Sequence, residues 1–407
     1  MAKLSKDAKE RIIISLTSEP VGKEVIKAIE GGDDVLSGNG APSNSLGENG
    51  NLYINLLNGD LYKKYNNAWE LQLDGQTAVE SAFEDIEQPV GLKDPSQVNL
   101  SINDGLRKIT VSPVGSSFVC FVKGKRIEIS SPLEANWDNI HGLHFFYINE
   151  AGNLINTMTF VDSIITEYTF VSMVYWDSTA SKHIIFANEK HGIKMSPITH
   201  QYLHRTRGAA FDSGGKLVNF VVDGGGGSNT HAQFTSNSGV IWDEDIRLSY
   251  SAQAQIPVFY RSGATGLWKR KEANSFPVIT SGEEGYTGAN GLLPYNFFNG
   301  SNWVLNQVDN NKFVLVHIFA TNDIEFPIIA IQGQAQYANK TSARNGALTE
   351  IKELSGLPVY EFCPLGSVIF QTGSSYTNTP KAQIVSTLDG DNYEDHRTES
   401  IRPGSLA

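Results

Sequence analysis

The sequence predicts a mainly β protein in which a short N-terminal helical hairpin is followed by a small β-hairpin module and two β-sandwich-like domains. Three observations point there. Runs rich in β-branched and aromatic residues recur from about Asp94 to near the C-terminus, separated by turns built on Asn, Asp and Gly. Hydrophobic residues make up 40% of the chain and charged residues only 19%, which excludes a disordered polymer. Apolar residues that recur every three or four positions as a helical stripe mark the first thirty positions and one stretch around Ala347.

The first element is residues 1–32. Leu4, Ala8, Ile12 and Leu16 fall on one helical face; Ser18 suits a cap and Pro20 a first turn; Val21, Val25 and Ile29 line a second face, which Gly31-Gly32 ends. Two helices this short cannot hide those faces between themselves, so the seven apolar residues are expected to form a docking face for another protein. The linker and module span 33–75. Leu52, Ile54 and Leu56 alternate before Asn58-Gly59, a hairpin signal, and Leu61, Tyr62, Tyr65, Trp69, Leu71 and Leu73 continue beyond it.

A first sandwich of about eight strands is expected over 76–190, a connector containing histidines and glycines over 191–235, and a second β-rich domain over 236–407. In the last, one helix carries Ala343, Ala347, Ile351 and Leu354 on its apolar face and stops at Gly356. No heptad run marks a coiled-coil shaft.

The formal charge of −12, without a clustered basic run, argues against nucleic acid as a partner. No stretch is apolar for long enough to insert into a membrane, and the opening residues are too polar for a signal peptide. Cys120 and Cys363 have no metal-type spacing and read as free, buried thiols of a protein made in a reducing cytoplasm.

Three regions resemble phage proteins. Gly47 to Asn55, with Asn58-Gly59-Asp60-Leu61-Tyr62-Lys63-Lys64 and Trp69, is similar to a short β-module near the N-termini of phage tail fibres. Phe186–Gly192, Thr199–Ala209, Ser228–Gln233 and Ile241–Ile246 are similar to a block in phage virion proteins of tail-fibre and head-fibre type, and Leu4–Arg11 is similar to their N-termini. The resemblance implies a bacteriophage virion fibre protein, assembled in the host cytoplasm as a homotrimer. It would be held to tail, baseplate or capsid proteins by its N-terminal helices and would contact a host surface glycan or protein. A capsid-anchored head fibre or decoration protein is the alternative, and a spike-borne polysaccharide hydrolase the second.

Neither catalytic nor cofactor-binding residues are assigned, and no metal ligands. Asp212-Ser213-Gly214-Gly215 lacks the setting of a protease nucleophile and reads as a turn. Gly224–Gly227 lacks the Lys and Ser/Thr of a phosphate loop. His200 and His204 have the i, i+4 spacing of a shared metal, with His183 and His191 nearby, but Tyr202 and Leu203 suggest a packed stretch. Were a metal present, one histidine per chain meeting on a trimer axis is the expected form. Asp243-Glu244-Asp245 and the acidic run at Asp389–Asp395 read as solvated loops. Tyr295, Phe297, Phe298 and Trp303, set among Asn and Gly, form the candidate receptor-facing loop.

Overall fold

A computed structural model describes residues 35–73 and 88–398, apart from Glu284, Thr287 and Ala289. The expected helical hairpin and its docking face, Leu4 to Ile29, lie outside the described residues. The chain divides at Gln88 into two compact units, and the fold is mainly β in both.

In the first unit β1 (Val35–Gly38) runs parallel to β2 (Leu52–Asn55), and β3 (Leu61–Tyr65) and β4 (Ala68–Leu73) follow antiparallel in the order β1-β2-β3-β4. Val35, Leu52, Tyr53 and Leu61 are buried, with the Tyr53 ring edge-on to Tyr62 and Trp69. Buried Lys64 donates from Nζ to the carbonyls of Asn44, Leu46 and Gly47 at 2.7, 2.7 and 2.9 Å, pinning the preceding loop. Leu56 does not continue the inward face with Leu52. The strand stops at Asn55, whose Oδ1 accepts from Gly40 N and Leu57 N, so Leu56 turns out to solvent. Asn58-Gly59 thus lies in a wider turn, with Gly59 at φ +81°.

The second unit opens with β5 (Gly91–Leu92), β6 (Val98–Asn103), β7 (Lys108–Pro113), β8 (Phe118–Val122), β9 (Lys125–Ile129) and β10 (Leu133–Asn136). They form two three-stranded sheets, β5-β8-β9 and β10-β7-β6. Next come β11 (Gly142–Ile148), β12 (Leu154–Thr157), the single turn α1 (Ser163–Thr166), β13 (Thr169–Asp177) and β14 (Lys182–Asn188). These strands make a sheet ordered β12-β11-β13-β14. Every residue of β13 is buried, because both faces of that sheet are covered. Val171, Val174 and Trp176 meet Trp137, Phe146 and the small sheets on one side. Phe170, Met173 and Tyr175 meet Phe259, Phe319, Ile329 and Phe362 on the other.

Helix α2 (Pro197–Thr206) leads into β15 (Ala209–Gly214), β16 (Leu217–Val218), β17 (Thr235–Ser236), β18 (Gly239–Asp243) and β19 (Ile246–Tyr250), with β15-β18-β19 as one sheet and β16-β17 as another. The remaining strands are β20 (Ile256–Ser262), β21 (Leu267–Asn274), β22 (Pro294–Phe298), β23 (Trp303–Gln307), β24 (Phe313–Thr321) and β25 (Ile328–Tyr337). After α3 (Lys340–Glu353) come β26 (Phe362–Thr372), β27 (Ala382–Ile384) and β28 (Glu394–Asp395). A seven-stranded sheet runs β21-β20-β25-β24-β26-β27, with β28 also on β26, and β22-β23 is a separate hairpin. Helix α3 buries Ala343, Ala347 and Ile351 as its spacing predicts, and Asn339 caps it through Ser342 N at 2.9 Å. Cys120 and Cys363 are free and buried, and burial pushes their thiols up to about 11 and 12.

Asp323 fastens the four-stranded sheet to the β24–β25 turn. Its Oδ2 accepts from Phe186 N at 3.1 Å and its Oδ1 from Glu325 N and Phe326 N at 2.7 and 2.8 Å. Burial raises this carboxyl to about 6 despite those bonds. A folded-state value above the unfolded one near 3.9 means that the group favours folding most below pH ~4 and loses that contribution as pH climbs through 6. Asp323→Asn should therefore gain on the wild type between pH 4 and 6, with a constant difference above. Urea midpoints across that range measure it, and an asparagine variant that loses ground to the wild type as pH rises from 4 to 6 contradicts the assignment.

Candidate metal centre

Four chain segments deliver ionisable side chains to one closed space. Glu189 and His191 follow the end of β14, His200 and His204 sit on α2, Asp243 ends β18 with Glu244 next to it in the β18–β19 turn, and Glu361 immediately precedes β26. Helix α2 is set by Ser196, whose Oγ accepts from Thr199 N at 3.1 Å, and by Pro197 at its first position. Gly208, at φ +58°, ends it beneath Glu361, where a side chain would crowd the carboxylate. The i, i+4 spacing puts His200 and His204 on the inward face, and Ile198 and Tyr202 point to solvent. The packed stretch expected from Tyr202 is therefore corrected: the buried face of this helix is its polar one.

The side chains of Glu189, Glu244 and Glu361 have 0% exposure, and Asp243 is fully buried. The solvated loop expected at Asp243-Glu244-Asp245 is thereby overturned, because the turn faces inward against α2. Glu244 Oε2 lies 3.8 Å from His191 Nε2 and 4.0 Å from His200 Nε2, and its Oε1 is 3.9 Å from His204 Nδ1. His204 Nδ1 is 2.9 Å from Glu361 Oε1, and His191 Nε2 is 3.4 Å from Glu189 Oε2. No nitrogen donor reaches either Glu244 oxygen within hydrogen-bonding distance, its close polar neighbour being the Asp243 carboxyl, and His200 Nε2 has no hydrogen-bond partner. His191 Nδ1 meets Asp245 Oδ1 at 2.8 Å, while Asp245 Oδ2 accepts from Gly192 N at 2.8 Å. That pairing places a proton on Nδ1 and aims Nε2 at the carboxylates of Glu189 and Glu244. Asn322 Nδ2 donates to Glu189 Oε1 at 2.7 Å and to Asp243 Oδ2 at 2.9 Å.

Burial pushes the carboxyls up: Asp243 to about 6, Glu189 above its ordinary range, and Glu244 well above it, with the neighbouring carboxylates adding to the effect. Burial works the other way on the imidazoles. It drives His200 well down, reinforced by His191 and His204. At His191 the bonds to Asp245 and Glu189 overcome it and hold the ring at about 10, and at His204 the Glu361 charge does the same in direction. Three overlapping groups of potential metal ligands result: His191, His200 and Glu244; Glu189, His191 and Asp243; and His204, Glu244 and Glu361. All three histidines belong to one chain, in contrast to the expected convergence of single histidines on a trimer axis. His183 lies elsewhere, between Asp104 and Glu325.

A second buried constellation has the order of a hydrolase triad. His317 Nδ1 is 2.8 Å from Ser367 Oγ and its Nε2 is 3.0 Å from Glu350 Oε2. His317 and Ser367 are fully buried on β24 and β26 inside the seven-stranded sheet, so no substrate reaches the hydroxyl. Tyr337 OH and Gln334 N also bond Glu350, each at 2.6 Å, which completes a structural network.

The four aromatic candidates share the β22–β23 hairpin. The Tyr295 and Phe297 rings lie 5.1 Å apart, tilted by 35°, and Phe298 pairs with Trp303 across the strands at 5.9 Å. Phe298 is exposed, whereas Trp303 stacks on the Arg261 guanidinium at 4.7 Å, with Trp268 at 5.2 Å from the same group. No protein-family model matches the chain, and comparison with curated proteins and with solved structures finds no match. Phe298→Ala should leave stability within about 0.5 kcal/mol of the wild type, and Trp303→Ala should cost about 2 kcal/mol through lost packing and cation–π contact. Thermal denaturation of the two variants measures the contrast, and equal losses would show that both rings are structural.

Proposed function

We propose that this chain is a structural and adhesive protein of a bacteriophage virion, a homotrimeric fibre or tip component without enzymatic activity. Its N-terminal helices hold it to the tail or baseplate, and its β-domains stand off toward the host surface. The observation that carries this reading is the Gly47–Trp69 segment. It resembles a tail-fibre module in sequence, and it supplies β2, β3 and the start of β4 in the four-stranded sheet of a separate compact unit. Modules strung along a chain suit an appendage, where contacts weak singly become effective through many copies.

The exposed face of the β22–β23 hairpin, with Phe298 beside Asn299 and Asn302, supplies the aromatic and amide chemistry that sugars and protein surfaces accept. Attachment to the capsid as a head fibre or decoration protein is the second reading, since Phe186–Gly192, Thr199–Ala209, Ser228–Gln233 and Ile241–Ile246 resemble head-fibre as well as tail-fibre proteins. The Ser367–His317–Glu350 series adds little to the hydrolase alternative, since its hydroxyl is sealed within a sheet.

Deleting residues 1–32 tests the anchor. The truncated chain is expected to keep the near-ultraviolet circular dichroism of the folded body and to be lost from purified particles. Normal incorporation overturns the anchor, and hydrolysis of host polysaccharide by the full chain overturns the non-enzymatic role. Electron microscopy of labelled particles places the protein at tail or capsid.

A further inference from the structure

The buried cluster between α2 and the seven-stranded sheet has a use that the fibre reading neither requires nor explains. We propose that Glu189, His191, His200, His204, Asp243, Glu244 and Glu361 hold two divalent first-row transition ions, bridged by Glu244, as a structural centre that staples the body together.

Geometry supports this first. Donor atoms around one tetrahedral ion with bonds of ~2.0–2.1 Å stand roughly 3.3 Å apart, and somewhat farther before the ligands close in. The contacts of Glu244 with His191, His200 and His204, at 3.8, 4.0 and 3.9 Å, are too long for hydrogen bonds and are of the length that an intervening ion gives. The two oxygens of Glu244 face different partners, Oε2 toward His191 and His200 and Oε1 toward His204. That is the disposition of a carboxylate bridging two ions, the first with His191 and His200 and the second with His204 and Glu361.

Charge supplies the number. Glu189, Asp243, Glu244 and Glu361 carry four negative charges when ionised, and two divalent cations balance four charges. Neutral imidazoles then serve as ligands. Donor chemistry supplies the class: nitrogen and oxygen without thiolate suit zinc, manganese, iron or cobalt and disfavour monovalent copper. Support from the next layer is in place, because Asp245 orients His191 and Asn322 orients Glu189 and Asp243.

Closure supplies the role. All seven side chains are buried or nearly so, which is the form of a structural centre. The ligands come from the end of β14, from α2, from the β18–β19 turn and from the residue before β26. The ions would therefore tie the four-stranded sheet to the C-terminal sheets across 172 positions of sequence, from Glu189 to Glu361.

The test uses the full chain, with any affinity tag removed. Elemental analysis by inductively coupled plasma mass spectrometry should find about two divalent ions per chain, as purified or after dialysis against zinc or manganese. Chelation should lower the melting temperature, and either metal should restore it. Cobalt loaded into the chelated chain should give the visible d–d absorption of a nitrogen and oxygen site, a readout that needs no variant. Glu244→Gln should lose the second ion, and Asp245→Asn, which acts by positioning His191, should weaken affinity ~10–100-fold.

A single ion per chain would overturn the bridged pair. A chain that stays metal-free in excess zinc and manganese, with a melting temperature indifferent to chelator, would overturn the centre and show that the cluster is held by shared protons. Neither result bears on particle incorporation, so the fibre reading stands or falls separately.

Discussion

Carboxylates and imidazoles that share a space closed to water impose one constraint on everything around them: their charges must be balanced where water cannot do it. Burying an ionised carboxylate without a partner is among the most expensive arrangements a fold can adopt. Strand ends meet this constraint here. Strand β14 stops at Asn188, β18 at Asp243 and β24 at Thr321, and β26 starts at Phe362, so the residues just outside each ladder are free to turn into one place. Regular pairing delivers the segments, and the irregular residues beyond it supply the chemistry.

Apolar packing forms the wall of that space. Phe160 stacks on His204, Tyr360 stands edge-on to His204, and Phe145 stacks on Tyr360, which joins the cluster to the core between the two large sheets. A wall of rings lowers the local dielectric, so that each charge in the cluster feels its neighbours more strongly than it would at a surface. Gly91 belongs to the same enclosure: at φ +115° its position would put a side-chain carbon 2.8 Å from His191 O, and Leu92 N bonds that carbonyl at 2.8 Å. The N-terminal sheets are thus fitted against the loop that carries His191.

Much of the strand pattern was legible in the sequence because period two and turn residues are local signals. The β-branched and aromatic runs between Asn, Asp and Gly turns are strands in the structure, as at Lys108–Pro113, Phe118–Val122, Gly142–Ile148 and Phe313–Thr321. Local signals failed where tertiary context decides. Strand β21 carries Lys269-Arg270-Lys271, three adjacent cations without an alternating apolar pattern, and Lys269 meets Asp177 at 3.0 Å while Lys271 Nζ bonds the Val278 carbonyl at 2.7 Å. Strand β26 runs through Pro364, a residue that marks a strand end by local rules, because a register shift opposite Ile318 and Phe319 accommodates the missing N–H. The cluster was half visible: His200 and His204 gave their spacing, and His191 lay close by. Glu361 had no local mark at all, and Glu189 and Glu244 looked like ordinary loop acids. Only the stacking of two sheets brings them together, and no periodicity encodes that.

One contrast within the chain separates a finished polar network from one that calls for a cation. Glu350 is as deeply placed as the cluster carboxylates, yet it accepts from Gln334 N and His317 on one oxygen and from Tyr337 OH on the other. Every donor is a protein group at hydrogen-bond length, so this carboxylate is fully served by its own chain. Glu244 is buried to the same degree, with three imidazole nitrogens arrayed around it at close to 4 Å and none within bonding distance. Shifting one of those rings by about 1 Å would make a hydrogen bond, and Asp245, Phe160 and Tyr360 hold the rings where they are instead. A fold that satisfies Glu350 so completely has the means to satisfy Glu244 in the same way. The spacing it keeps there is that of ligands around an ion.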